Sequence, residues 1–320
     1  MKTPILYLVI PCYNEEKVLP ITSKLFCTKI KDLIKRKKID AKSKILFVDD
    51  GSKDNTWNII SNLSKENAIY SGIRQSRNRG HQNAVLAGLM ESKNKCDISI
   101  SMDCDGQDDI NAIDEMVKEY CSGSDVVYGV RKNRKKDTMF KRISAKAFYK
   151  VLKLMGAKIV FNHADYRLLS STVLCYLQEY KEVNLFLRGI VPLIGFKSSY
   201  VYYDRAERIS GESKYPLKKM LAFAWDGITS LSSRPLHFIL LLGIGVSVFC
   251  FAISVWSVII YFTHNSLPGW ASITVLISFF SAVQLISIGV IGEYVGKMYL
   301  EVKARPRYII SEKTKNLKTK

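Results

Sequence analysis

The sequence predicts an α/β domain, a parallel sheet covered by helices, joined to two helices able to cross a membrane. Three observations carry this prediction. Over the first hundred residues short apolar runs alternate with helical patterns, which is how a parallel sheet wrapped by crossover helices reads. A polar cluster follows each early apolar run, at the strand ends where open α/β sheets hold their ligands. Finally, Leu236–Phe262 carries no charged side chain other than a protonated His237, and Ala271–Gly292 carries none. Each stretch is long enough to cross a hydrocarbon core of roughly 30 Å at about 1.5 Å per residue.

The elements follow in order. Leu6–Ile10 is strand-like; with Ile5 it is too short for a secretory signal and runs into Pro11-Cys12-Tyr13-Asn14-Glu15-Glu16, so it reads as a buried strand. A helical pattern covers Glu15–Lys37, a strand Lys44–Val48, and a second helix Asn55–Lys65 with Asp54 as its cap. After a further βα unit, the loop Ser76–Gln82 leads into an apolar helix, Asn83–Met90. Strand Ile98–Met102, helix Asp109–Tyr120 and strand Asp125–Val130 complete this part. Helical periodicity returns over Phe140–Met155, and an irregular apolar stretch follows at Phe186–Phe196. Pro216–Leu231 is amphipathic and suits either a helix lying on a membrane surface or an ordinary core-facing one; its place just before the first uncharged stretch favours the membrane.

Charge and cysteine usage narrow the classes. With 48 Lys+Arg against 29 Asp+Glu the chain carries a net charge of +19, which calls for an anionic partner. Arg131–Lys153 holds ten basic residues and one acid, Asp137, and a second basic run, Lys297, Lys303, Arg305 and Arg307, follows the second uncharged stretch. Both runs suit anionic lipid or a phosphate-bearing substrate, or else a solvated basic face and tail. No nucleic-acid-binding motif accompanies them, so nucleic acid is not an expected partner. Seven scattered cysteines without a C-x-x-C pair indicate neither a disulfide framework nor a zinc cluster. Basic residues flank the hairpin, Arg234 before and Lys297 after, while its connecting loop Thr263–Trp270 has none, which places both ends in the cytoplasm.

The chemistry-bearing residues sit at strand ends. Asp103 and Asp105, in Met102-Asp103-Cys104-Asp105-Gly106-Gln107, leave a strand with one residue between them and can face a hard divalent cation, Mg²⁺ or Mn²⁺, bridging a diphosphate. Read alone, the pair is equally an acidic turn capping the next helix. Tyr13 offers a ring for stacking on a base, and Asp49 or Asp50 an acceptor for ribose hydroxyls. Arg77-Asn78-Arg79-Gly80-His81-Gln82-Asn83 supplies backbone approach at Gly80 and cations at a helix start. Neither G-x-x-x-x-G-K-[ST] nor G-x-G-x-x-G occurs, so a P-loop or standard dinucleotide site is not supported.

The set PCYNEE, VDDGSKD, RNRGHQNA and DCDGQD, continued by HADYRL (His163–Leu168) and RISGESKY (Arg208–Tyr215), resembles the polyprenyl-phosphate glycosyltransferases related to dolichol-phosphate mannose synthase. The nearest likeness is to the bacterial undecaprenyl-phosphate glucosyltransferase branch with a C-terminal two-helix hairpin. That resemblance implies a GT-A (Rossmann-like) nucleotide-sugar-binding domain over 1–200, a juxtamembrane amphipathic region over 201–233, a transmembrane hairpin over 234–297 and a basic cytosolic tail over 298–320. It also implies nucleotide-sugar contacts from Pro11, Tyr13, Asn14, Glu15, Asp49, Asp50, Gly80, Asp103 and Asp105, with Asp103, Asp105 and Gln107 at the metal. Asp165 matches an acidic catalytic position with Arg167 after it, and Arg131, Arg208 and Lys214 match basic positions near the phosphates. Two motifs depart from the family's usual pattern: the frequent DADLQDPP has Gly106 and Asp109-Ile110-Asn111 in place of its bulky residue and prolines, and Ala164 and Tyr166 replace Gly and Phe around Asp165.

The implied activity is inverting transfer of a hexose, glucose first, from a UDP-sugar to undecaprenyl phosphate. It places the chain in the inner (plasma) membrane as a multi-pass protein with its catalytic domain cytoplasmic, and as a homo-oligomer such as a tetramer. Amphipathic Pro216–Leu231 and apolar Leu185–Phe196 are the expected lipid-docking surfaces. A lipid phosphate has a second pKa of about 6, so Asp165 is expected to orient more than to deprotonate. Two rivals share parts of this pattern. A processive polysaccharide synthase would carry Q-x-x-R-W and more spans, and the motif is absent; a non-catalytic membrane scaffold would retain its activity on loss of Asp105.

Overall fold

The computed structural model of the chain describes residues 3–132, 163–206, 229, 234–262 and 269–317. The expected helix Phe140–Met155, Arg208, Lys214, the loop 263–268 and all of Pro216–Leu231 except Thr229 lie outside the described residues.

The described strands are β1 (Leu6–Cys12), β2 (Lys44–Asp49), β3 (Tyr70–Gln75), β4 (Ile98–Ser101), β5 (Val126–Arg131), β6 (His163–Ser170), β7 (Ser198–Tyr203) and β8 (Ile310–Lys313). Helices α1 (Leu19–Lys35), α2 (Thr56–Glu66), α3 (His81–Ser92), α4 (Ala112–Cys121), α5 (Ser171–Glu179) and α6 (Leu187–Ile194) belong to the same domain; α7 (Arg234–Phe262) and α8 (Trp270–Lys303) follow. All eight strands form one sheet, ordered β7-β5-β6-β4-β1-β2-β3-β8. The inner strand β1 and the Ile45–Val48 run of β2 read as near-continuous apolar stretches because both faces of the sheet are covered. Leu6, Leu8 and Ile10 face one core with α1 and α4, whereas Tyr7 and Val9 face another with α3, α5 and α6.

The parallel pattern expected over the first hundred residues is found in β1 to β4, and beyond them the sheet is mixed. Strands β1 to β4 pair in parallel, but β6 inserts antiparallel between β4 and β5, and β7 pairs parallel with β5. Strand β6 has no strand signature in the sequence because its buried residues include Arg167, 1 % exposed, so it lacks the apolar run of a two-sided strand. The predicted first helix also starts late. Asn14 takes φ 55°, Glu15 caps a turn by accepting from Val18 N and Leu19 N, and Pro20 stands in the first turn of the helix proper.

Helix α8 runs on through Lys303 and stops at Ala304, which takes φ 45°. The chain then returns to the domain, where β8 pairs antiparallel with β3, Ile73 opposite Lys313 and Arg74 opposite Glu312. Side chains fasten it: Trp57 Nε1 donates to Glu312 Oε2 at 3.0 Å, Arg74 pairs with Glu312 at 2.9 Å, and Lys313 Nζ reaches Glu91 at 2.7 Å. Burial alone would push the Glu91 carboxyl up, but bonds from Lys313 and Lys95 hold it below the ordinary carboxylate range. A depressed carboxylate stabilises the fold above the unfolded pKa of about 4.3 and loses that contribution as pH falls through the folded value. Glu91→Gln is therefore expected to lower the melting temperature at pH 7 and to flatten its decline toward pH 4, as measured by a thermal melt at each pH.

Helices α7 and α8 are both long and apolar enough to cross a membrane, with mean hydropathy 2.5 over Arg234–Ile253 and 1.5 over Phe279–Lys303, and neither stretch is buried in the protein. The other expected lipid-docking stretch divides. In α6 Leu187, Ile190 and Val191 are buried in the core, and Leu193 is exposed. The run from Leu185 to Phe196 is thus largely a core helix, a correction to its reading as a docking surface.

Candidate active site

Four loops meet at the carboxyl edge of β1 to β4. After β1, Asn14 N donates to Ser52 Oγ at 2.9 Å, Glu15 N to Thr56 Oγ1 at 2.9 Å and Glu16 N to Asp54 Oδ2 at 3.1 Å, while Lys53 N donates back to Asn14 Oδ1 at 3.0 Å. This lacing holds Pro11 to Glu15 against the turn after β2 and leaves the Tyr13 ring 42 % exposed. Gly51 makes that turn possible. It takes φ +65°, and a Cβ there would lie 2.5 Å from the Arg77 carbonyl carbon. Gly51→Ala is expected to cost about 1–3 kcal/mol from backbone strain, read as a lowered melting temperature; an unchanged melt would show that the turn relaxes freely.

The adjacent carboxylates have different tasks. Asp50 accepts from Arg79 N at 2.8 Å and from Gly80 N at 3.0 Å, which fixes the loop that opens α3. Asp49 accepts from Ser52 N at 3.1 Å, and its Oδ2 lies 3.2 Å from Arg74 Nε without an aligned hydrogen bond among the described residues. Burial pushes both carboxyls up, against these hydrogen bonds.

By pinning residues 79 and 80, Asp50 sets His81 at the start of α3. Its Nε2 lies 3.6 Å from Asp103 Oδ1 and 3.6 Å from Asp165 Oδ2, so it bridges two carboxylates from different strands. Burial would lower the imidazole's pKa, but Asp165 and Asp103 raise it to about 9. Withdrawal from water pushes Asp103 up to about 6; His81 opposes this, while Asp108, Asp165 and Asp105 add to it. Asp165 goes the other way. Burial would raise it, but the Arg188 guanidinium, His81 and Arg167 hold it well below the usual range. Arg188 grips both of its oxygens, at 3.1 and 3.0 Å, and Arg167 pairs with it at 2.5 Å.

Around the Asp103-Cys104-Asp105 turn, Gln107 N donates to Asp105 Oδ1 at 3.1 Å, Gln107 Oε1 accepts from Arg205, and Gln107 O accepts from Ala206 N. Gly106 takes φ +69°, so its departure from the family's bulky residue matches a left-handed turn. Arg131 is paired with Asp108 at 3.4 Å and donates to Tyr203 Oη at 3.3 Å. The sequence marks His81 only as part of the Arg77–Asn83 stretch, and it does not mark Asp108, Arg188, Tyr203 or Arg205 as site residues. Asp108 had a signal, as one more acid after the Asp-x-Asp pair; Arg188 had none, standing alone in an apolar stretch.

Residues 7–176 match the family described as glycosyl transferase family 2. The chain belongs to glycosyl transferase family 2. It is therefore a glycosyltransferase, and its mixed sheet with crossover helices is a GT-A-like fold. This glycosyltransferase is 48 % identical over 96 % of its length, and 91 % of the relative's, to the glycosyltransferase YkoT of Bacillus subtilis (strain 168). It is 36 % identical to the prophage bactoprenol glucosyl transferase homolog of Escherichia coli (strain K12), over 95 % of this chain and 97 % of that one. Among solved structures, glucosyl-3-phosphoglycerate synthase from Mycobacterium tuberculosis, in complex with Mn²⁺, UDP and phosphoglyceric acid, aligns with a TM-score of 0.47 at 16 % identity, covering 72 % of this chain and 78 % of that one.

Proposed function

We propose that this glycosyltransferase moves glucose from a UDP-sugar to a polyprenyl phosphate such as undecaprenyl phosphate, with inversion, at the cytoplasmic face of the inner (plasma) membrane. The observation that carries the reading is the convergence of Asp103, Asp165, His81 and Arg188 at one sheet edge, in a chain that also bears two apolar helices of spanning length. Full-length similarity to a bactoprenol glucosyl transferase homolog supports the acceptor and the sugar. Two spans with cytoplasmic ends and a homo-oligomeric assembly are part of the same proposal.

The donor set fits a divalent cation, Mg²⁺ or Mn²⁺. Withdrawal from water, with Asp108, Asp165 and Asp105 nearby, pushes the Asp103 carboxyl up to about 6, and a bound cation would favour its ionised form. Among the described residues no group of three or more His, Cys, Asp or Glu forms a closed metal centre. Asp103 and Asp105 would hold the ion in part, with diphosphate oxygens completing its shell. When bound, such an ion neutralises charge on the departing diphosphate. The chain's own residues do the rest. Tyr13 presents a ring for the base, while Asp49, fully buried with its Oδ2 3.2 Å from Arg74 Nε, braces the turn beneath it. Asp165, held ionised by two guanidiniums and an imidazolium, is a weak base. Its role is to fix Arg188 and His81 as cations between two phosphate-bearing reactants, and a lipid phosphate with a second pKa of about 6 is already largely dianionic at neutral pH.

The test is a panel of UDP- and GDP-sugars with undecaprenyl phosphate and Mg²⁺ or Mn²⁺, using the purified full chain. A lipid-soluble glucosyl product from the UDP-glucose arm is expected. Failure to consume any nucleotide sugar under these conditions would overturn the reading.

A further inference from the structure

We propose that Glu301, in the last turn of α8, is a positioning residue for the active site: it holds residues 183–184 and, through them, seats Arg188 on Asp165. The kinetic part of this inference rests on the proposed glucosyl transfer; the structural part does not.

One carboxylate receives three hydrogen bonds from a single short segment. Glu301 Oε2 accepts from Val183 N at 2.8 Å, and Oε1 accepts from Asn184 N and from Asn184 Nδ2, each at 2.8 Å. Asn184 Nδ2 also reaches Lys297 O, one turn earlier in α8, at 3.4 Å, and Arg307 donates to Tyr180 O at 2.7 Å. Bonds to an ionised acceptor are about twice as strong as neutral ones, so this is a firm anchorage. Nor does helix stability explain the residue. Glu301 stands two residues before the C-terminus of α8, where the helix dipole disfavours an anion. Its favourable partners lie in the catalytic domain.

The same segment then enters the active site. Leu187 N donates to Gln82 Oε1 at 2.8 Å, Arg167 donates to Leu187 O at 3.0 Å, and the next residue, Arg188, grips both oxygens of Asp165. Four peptide units separate Asn184 from Arg188, a reach of at most about 14 Å, and Leu187 is bracketed on both sides. Releasing residues 183–184 therefore loosens the frame from which Arg188 acts. An apolar helix of spanning length is thus hydrogen-bonded to the loop that orients the site's central carboxylate, and the seating of that helix bears on the site's geometry.

The experiment compares the full chain with Glu301→Ala and Glu301→Gln in lipid nanodiscs, by hydrogen exchange and by steady-state glucosyl transfer. In Glu301→Ala, exchange across residues 183–190 is expected to rise by about tenfold or more, matching the loss of charge-assisted bonds. Its kcat is expected to fall by about tenfold to a hundredfold with KM for UDP-glucose little changed, and Glu301→Gln, which keeps one acceptor oxygen, should recover part of both. Unchanged exchange at 187–190 overturns the proposal whatever the transfer assay reads. Raised exchange with unchanged kcat reduces Glu301 to a plain anchor and overturns its positioning role. If the unaltered chain transfers no glucose, the proposed function fails separately, and the exchange at 187–190 still decides whether Glu301 holds this segment. Should Glu301→Ala fail to fold, Glu301→Gln carries the same two readouts.

Discussion

Replacing Asp103 by Asn is expected to lower glucosyl transfer by on the order of 10²–10³ without lowering the melting temperature. Asp103 leaves β4 with its Oδ1 3.6 Å from His81 Nε2, and Asp105, Asp108 and Asp165 all add negative charge around it. In the protein without substrate that crowding is unfavourable, which is why withdrawal from water and these neighbours push its carboxyl up to about 6. An acid whose folded pKa exceeds its unfolded one weakens the fold as pH rises between the two values. A neutral amide of the same shape removes that penalty and leaves the loop's bonds in place, since Gln107 N is held by Asp105 and not by Asp103. Activity and stability should therefore move apart. The check is a melt of each protein beside initial transfer rates over a range of Mn²⁺ concentrations. Transfer close to that of the unaltered chain would remove Asp103 from the site; a large fall in melting temperature would mean that the carboxylate is structural.

Much of this edge is legible in the sequence. The strand ends after β1, β2 and β4 were readable because each apolar run stops abruptly at a polar cluster, and in a parallel sheet such stops fall on one edge. Asp49, Asp50, Asp103 and Asp165 were all named on that basis or from the resemblance. What the sequence did not announce was pairing across the sheet. Strand β6 carries a buried arginine where an apolar residue is usual, and β8 is four residues of mixed polarity paired along one edge only. Strand β7, Ser-Ser-Tyr-Val-Tyr-Tyr, does alternate exposed and buried residues over Tyr200–Tyr203 and was within reach of a period-two reading. Arg188 was not. Its partner is 23 residues away on strand β6, it sits among apolar neighbours in a helix containing Pro192, and no spacing rule links it to Asp165. Asp50 illustrates a finer limit: composition marks it as a ligand candidate, whereas the structure gives both its oxygens to backbone donors of the next loop.

Asp165→Asn is expected to fail in both respects, and a second substitution should separate them. The carboxylate is 14 % exposed and paired with Arg167, whose side chain is 1 % exposed and whose Nε has no partner among the described residues. Neutralising Asp165 leaves that guanidinium buried without a counter-charge, which costs about 3–5 kcal/mol, a fall in melting temperature of roughly 10 °C. Because its folded pKa lies well below the ordinary value, Asp165 contributes fully above the unfolded carboxylate pKa of about 3.9. The stability gap between the two proteins should thus stay level from neutral pH down to mildly acidic pH. Transfer should also fall, by on the order of 10²–10³, since Arg188 loses both hydrogen bonds to the carboxylate and His81 loses one of its two carboxylates. Adding Arg167→Met to Asp165→Asn removes the stranded charge. If Asp165 has two roles, the double variant regains most of the melting temperature and none of the transfer rate. Recovery of both would show that the carboxylate serves the fold alone, and that the alignment of Arg188 and His81 on it is incidental to catalysis.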